Sequence, residues 1–263
     1  MDLSQVSRTA VILLVCRAVL SEKNPSCRDV ESELLLQRLL EKANAEEQNW
    51  ILMLKRRYAG VHLGEARASL RRDHLFDAAA DEYIGSHPGC TVINLACGFD
   101  TRYWHLKQRN CSYIELDLPE MVQLKQELLA DRLTYEMIGC SVLDTAWIDR
   151  VIGSGNRNYL LLAQGLFMYL PEQKVLHLFR TIGDRFTNSR LMATMASTRW
   201  TKGLGKAIVH LNSRLDWGLD VDFIFGVRSP GDMEEFSPAF KVIKVEDGTI
   251  GPVVTVSING DIN

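Results

Sequence analysis

The stretch "VINLACGFDTRYWHL", residues 92–106, decides how the rest of the chain is read. An apolar run ends at Gly98, an acid and two polar residues follow, and the spacing then turns helical. A strand that stops at a glycine and gives way to a helix is the first turn of an α/β unit. Ligands of such sheets bind beyond the carboxyl ends of the strands. Gly98 allows close approach of a ligand or a positive φ. The dinucleotide fingerprint G-x-G-x-x-G needs further glycines here, and their absence disfavours a pyrophosphate and so a nicotinamide cofactor.

Downstream, short apolar runs recur at 112–116, 134–138, 158–163 and 190–195, with helical spacing at 101–109, 118–129, 145–152 and 171–186. Strand alternating with helix predicts a doubly wound, mostly parallel α/β sheet. A last run, 252–258, follows a charged helical stretch and is expected as an antiparallel edge strand. Upstream, residues 4–20, 29–45 and 67–84 carry apolar residues at three- and four-residue spacing, the second through Leu34, Leu35, Leu36, Leu39 and Leu40. Asn24-Pro25-Ser26 and His87-Pro88-Gly89 punctuate this part as turns. The expected division is an N-terminal helical cap, 1–86, and an α/β core, 87–263. A lid segment is expected at about 197–232, where aromatics, glycine and mixed charge concentrate.

Composition narrows the function. The chain of 263 residues is 46% hydrophobic and 24% charged, with a net charge of −3. That balance gives no electrostatic reason to expect nucleic-acid or anionic-membrane partners. The six cysteines form no C-x-x-C pair, and the histidines at 62, 74, 87, 105, 177 and 210 show no metal-ligand spacing, so no metal is expected. The apolar run Val11–Cys16 is interrupted by Arg17 and is far shorter than a membrane span. A cytoplasmic location is the expectation.

Asp117 lies nineteen residues beyond Gly98, at the end of the second apolar run. A carboxylate there is placed to accept both hydroxyls of a ribose. Capping the helix entered through Leu118-Pro119-Glu120 is the equally open alternative. Ribose without pyrophosphate points to a nucleoside cofactor such as S-adenosylmethionine.

At this point the chain resembles a known family. "VINLACGFDTRYWHL", "YIELDLPEMVQLKQELL" (113–129), "IGCSVLDTAW" (138–147) and "LLLAQGLFMYLPEQKV" (160–175) follow the order and spacing of the leucine carboxyl methyltransferase family. That family includes relatives of polyketide-synthesis O-methyltransferases. "SRTAVILLVCRAVLSEK" (7–23) is similar to its first helix, and the resemblance weakens after about residue 200.

The resemblance implies a Rossmann-like methyltransferase fold using S-adenosyl-L-methionine. It places Gly98 under the methionine portion, with Ala96 where a second small residue is usual. It places Asp117, beside Leu118, at the ribose, and Ser141 and Val142 where family members commonly have Asp-Leu beside the adenine. An arginine before the core is expected to hold the methionine carboxylate; Arg71 fits best, Arg72 is the rival, and Arg102 is a further candidate. Gln164 stands where many members have glutamate, and so offers the donor's ammonium one neutral oxygen. Tyr169 is a candidate contact to cofactor or acceptor. The expected activity is O-methylation of a small-molecule carboxylate or hydroxyl. Methylation of a protein C-terminal carboxylate and non-catalytic cofactor binding are the alternatives.

Overall fold

The structure, a computed structural model, describes residues 5–24, 28–153, 155, 158–248 and 250–260. Ser4, where the first helix was expected to start, and Pro25 and Ser26 of the first expected turn lie outside them. The chain divides into two compact units. One comprises Met1–Ala79, Gly98–Lys107 and Glu120–Thr134; the other comprises Ala80–Cys97, Gln108–Pro119 and Tyr135–Asn263.

The first unit is helical. It draws on α1 (Gln5–Lys23), α2 (Val30–Lys42), α3 (Ala45–Ala59) and most of α4 (Leu63–Ser86). Its core is built by the i, i+3, i+4 stripes of these helices. Val11, Leu14, Leu35, Leu39, Ile51 and Leu54 are each 0% exposed. α2 starts where the Asp29 side chain accepts from the Ser32 amide at 2.9 Å. α3 lies within the region expected to be helical, but its span was not singled out. It is announced by a capping box, in which Asn44 accepts from the Glu47 amide and Glu47 reaches back to the Asn44 amide. Among the described residues, no helix is long and apolar enough to cross a membrane.

The second unit is built on a seven-stranded sheet. Its strands are β1 (Cys90–Leu95), β2 (Cys111–Asp117), β3 (Glu136–Gly139), β4 (Tyr159–Ala163), β5 (Ser189–Thr194), β6 (Phe240–Glu246) and β7 (Val253–Ile258), in the order β3-β2-β1-β4-β5-β7-β6. β1 to β5 pair parallel, and β7 pairs antiparallel with β5 and β6. Between the strands run α5 (Arg102–His105) and α6 (Pro119–Leu129), counted almost wholly with the first unit, and α7 (Ala146–Ile152) and α8 (Glu172–Arg185), so the expected alternation of a doubly wound fold holds. On one sheet face Ile93, Leu95, Ile114, Leu116 and Leu161 pack with Trp147 and Ile148 of α7 and Phe179 and Ile182 of α8.

Two expectations are corrected. The charged stretch before the last strand is itself the edge strand β6, preceded by the short α10 (Asp232–Phe236); β7 lies between β5 and β6. Lys241 and Lys244 sit on an edge strand, where charge blunts further pairing, and a bulge at Val242/Lys244 disturbs the two-residue alternation. The helix expected at 101–109 is only Arg102–His105. The expected lid contains α9 (Gly203–Asn212), no residue of which is buried, then a π-helical turn, Ser213–Trp217.

Candidate functional site

The strand order reverses between β1 and β4, so the β1 and β4 ends flank the switch point of the sheet. Register lines up the candidates there. Leu95 pairs with Leu116, Asp117 with Gly139, and Asn94 with Leu162, which brings Ala96, Asp117, Ser141 and Gln164 to one edge of the sheet. β1, β4 and the second half of β2 behind them are buried, whereas Ala96, Leu118, Ser141, Gln164 and Gly165 are half-buried. The turns are tied by the Cys97 amide donating to Leu116 O at 3.3 Å and the Cys140 amide to Asp117 O at 2.8 Å.

Two of these positions have left-handed backbone: Ala96 at φ 52° and Gly165 at φ 71°. No atom lies within 4 Å of where a Gly165 Cβ would stand, so the space over that turn is open. Gly165 was quoted in the sequence motif without a role; its positive φ explains why a glycine stands there. Ala96 adopts a conformation that costs an L-residue roughly 1–2 kcal/mol, which explains why a glycine suits the position.

Asp117 is 7% exposed, and its Oδ1 accepts from the Leu118 amide at 2.7 Å. Since α6 begins at Pro119, Asp117 stands one residue outside the N-cap position. Glu115, also on β2, is fully buried and accepts from the Tyr135 hydroxyl at 3.1 Å. Burial and the neighbouring Glu115 charge push the Tyr135 phenol well above its usual pKa. Ser141 accepts from the Leu143 amide at 3.2 Å, and buried Val142 gives its carbonyl to the Trp147 indole at 3.1 Å.

Beyond Gln164 the chain forms a single 3-10 turn, Phe167–Tyr169. Tyr169 is 37% exposed, and its ring meets Phe223 edge-on at 5.5 Å. The Ile224 amide donates to Met168 O at 2.8 Å, which ties the chain beside Phe223 to this turn. Sequence reading did not single out Phe223, because it lies where the resemblance has faded.

The other candidates belong to the helical unit. Gly98 has φ 52°, and a Cβ there would lie 2.8 Å from the Ala10 Cβ of α1, so close helix packing accounts for this glycine. Arg72 is buried, whereas Arg71 is exposed and lines a cavity of that unit.

Arg102 is 1% exposed and committed internally. Its Nε donates to Asp77 at 2.7 Å, its Nη1 to Asp100 at 2.5 Å, and its guanidinium lies 5.3 Å from the Phe76 ring centre. Asp100 also faces Arg17 at 3.5 Å, while Arg17 binds Asp73 at 2.7 Å. Thr101 donates to Asp29 at 2.7 Å, and Lys125 donates to Asp100 O at 2.5 Å. The polar residues of the G-F-D-T-R motif are thus used inside the helical unit, which removes Arg102 as a carboxylate anchor.

His105 bridges Asp29 at 3.2 Å and Asp77 at 3.5 Å. Burial alone disfavours its charge, but bonds to the two aspartates outweigh burial and raise its pKa to about 10. Asp29 is likewise burdened by burial, yet His105 and Ser32 hold it down at about 2.

Two relatives match by sequence. The tetracenomycin polyketide synthesis O-methyltransferase TcmP of Streptomyces glaucescens is 29% identical over 171 residues, covering 65% of this chain and 60% of that protein. The S-adenosyl-L-methionine-dependent methyltransferase dpfgK of Gibberella zeae is 28% identical over 125 residues, covering 45% of this chain and 42% of that protein. The matched stretches therefore span less than two thirds of either relative. Among solved structures, human N-acetylserotonin methyltransferase with S-adenosylmethionine superposes with a TM-score of 0.49 at 11% identity, over 82% of this chain and 57% of that one. Residues 10–183 match the leucine carboxyl methyltransferase family, and the chain belongs to it.

Proposed function

We propose that the protein is an S-adenosylmethionine-dependent O-methyltransferase acting on a small molecule, with a carboxylate as the favoured acceptor. The observation that carries this is the row at the switch point, half-buried Ala96, Leu118, Ser141 and Gln164 with buried Asp117 and Val142, at the ends of neighbouring strands. These residues fit the donor in chemical kind. Asp117 supplies a carboxylate for the ribose hydroxyls. Val142 and Leu118 supply apolar contact for the adenine, and the Ser141 hydroxyl a polar one. The Gln164 amide oxygen accepts from the ammonium, and the left-handed turns at Ala96 and Gly165 keep side chains away from the donor.

The donor, when bound, supplies an already activated methyl group. The protein's part is to hold an acceptor oxygen in line and to exclude water. A carboxylate is a nucleophile at neutral pH, whereas a hydroxyl needs a base. The only ionisable carboxylate in the row is Asp117, assigned here to the ribose, which favours a carboxylate acceptor. Likeness to a polyketide-synthesis O-methyltransferase supports a small molecule rather than a protein terminus.

Incubation with methyl-tritiated donor and a metabolite pool tests the proposal. A methyl ester releases its label as volatile methanol in mild base, whereas an ether keeps it. Base-labile label in small molecules is the expected result. Label in protein, or none transferred, overturns the reading.

A further inference from the structure

The helical unit holds a cavity of about 430 Å³ between the end of α1 and one face of α4. Its apolar side is formed by Leu20, Leu63 and Leu70, and its polar side by Lys23, Arg67, Arg71 and His74. On α4 the residues 63, 67, 70, 71 and 74 follow three- and four-residue spacing, which puts the two kinds of side chain along one face.

The basic side is not compensated. Each acid next to it along α1 and α4 is engaged elsewhere. Glu22 holds Lys55 at 2.6 Å, Glu65 holds His62 at 2.8 Å, Asp73 holds Arg17 at 2.7 Å and Asp77 holds Arg102 at 2.7 Å. Lys23, Arg67, Arg71 and His74 form no ion pair among the described residues. In a chain of net charge −3 such a concentration of basic groups is a local field of opposite sign, and it attracts anions.

We propose that this cavity binds a small amphiphilic anion, a carboxylate or phosphate head on a short apolar body. The head pairs with the Arg67 and Arg71 guanidinium groups and with Lys23, since a planar fork matches a carboxylate or phosphate edge. The body lies against Leu20, Leu63 and Leu70, which are 6% exposed or half-buried and retain apolar surface toward the cavity. A volume of this size suits a small molecule better than a docked protein helix. Neither half suffices alone: exposed ion pairs are individually weak, and the apolar floor offers only a few side chains.

Calorimetric titration of the whole protein with octanoate, octyl phosphate, octanol, acetate and inorganic phosphate tests this. Octanoate or octyl phosphate is expected to bind at least tenfold more tightly than octanol, which lacks the charge, and than acetate and inorganic phosphate, which lack the body. The preference between the two anionic amphiphiles identifies the head group. Lys23→Met with Arg67→Met should weaken the preferred amphiphile at least tenfold while leaving octanol unchanged. Both residues are exposed, and an unchanged Tm confirms folding. Saturating S-adenosylhomocysteine should leave amphiphile binding intact. The proposal is overturned if octanol binds as tightly as octanoate, if either bare anion does, or if the double variant binds like wild type. It is also overturned if S-adenosylhomocysteine displaces the amphiphile, which would make the cavity the donor's own.

Discussion

Arg102 makes the structural role of the G-F-D-T-R motif testable. Replacing it with methionine keeps much of the apolar stem over Phe76 but removes the donors that reach Asp77 at 2.7 Å and Asp100 at 2.5 Å. Breaking a buried pair by deleting one partner typically costs about 3–5 kcal/mol, because a charge is left behind in a poor solvent. Here both acids retain a second cation, Asp100 through Arg17 at 3.5 Å and Asp77 through His105 at 3.5 Å. The lower end, about 3 kcal/mol, is therefore expected, or a fall in Tm of roughly 6–12 °C for a domain of this size. Urea unfolding of Arg102→Met should show a lower midpoint with an unchanged slope. A loss below about 1 kcal/mol refutes the reasoning, since that is the scale of an exposed pair.

Other substitutions probe separate links. His105, raised to about 10, contributes stability that is fully present below its unfolded value near 6.5 and is lost as pH rises through about 10. Asp29, lowered to about 2, contributes stability present above 3.8 and lost as pH falls toward 2; His105→Asn should flatten the alkaline limb of a Tm-versus-pH curve. Gly98→Ala should destabilise by about 1–3 kcal/mol through its positive φ and the 2.8 Å approach to Ala10. Ala96→Gly should instead be neutral or stabilising by up to about 1 kcal/mol, and a clear loss in the melting curve would contradict the strain at that turn. Gln164→Glu should tighten donor binding through a charge-assisted bond, checked by calorimetry; equal or weaker affinity in a folded variant removes Gln164 from the ammonium.

The parallel strands were legible because each buried run is short, apolar and closed by a turn, as in 90–95 and 159–163. β6 was not, because Lys241, Lys244 and Glu246 on a bulged edge strand imitate a solvated helix. α3 escaped notice since only Glu47, Ile51, Leu54 and Tyr58 are buried on it, yet its Asn44-x-x-Glu47 capping box stood in plain view. Asp117 follows from the end of a short apolar run, a local property that periodicity exposes, whereas Ser141 and Gln164 were singled out only through the family resemblance. The destination of the Arg102 guanidinium did not follow. Asp77 and Asp100 meet it only through tertiary packing, and nothing in the spacing of a lone arginine tells an ion-pair partner from a ligand anchor.

The central claim is that the switch-point edge binds the nucleoside of a methyl donor through Asp117. Calorimetric titration of wild type and Asp117→Ala with S-adenosylhomocysteine tests it most directly. Saturable one-to-one binding by wild type, weakened in the variant by roughly 1.5–3 kcal/mol, about tenfold to a hundredfold, is the predicted result, because hydrogen bonds to a carboxylate are lost. Equal affinity in the two proteins, with the variant merely melting lower, would contradict the assignment and leave Asp117 a structural acid at the entry to α6.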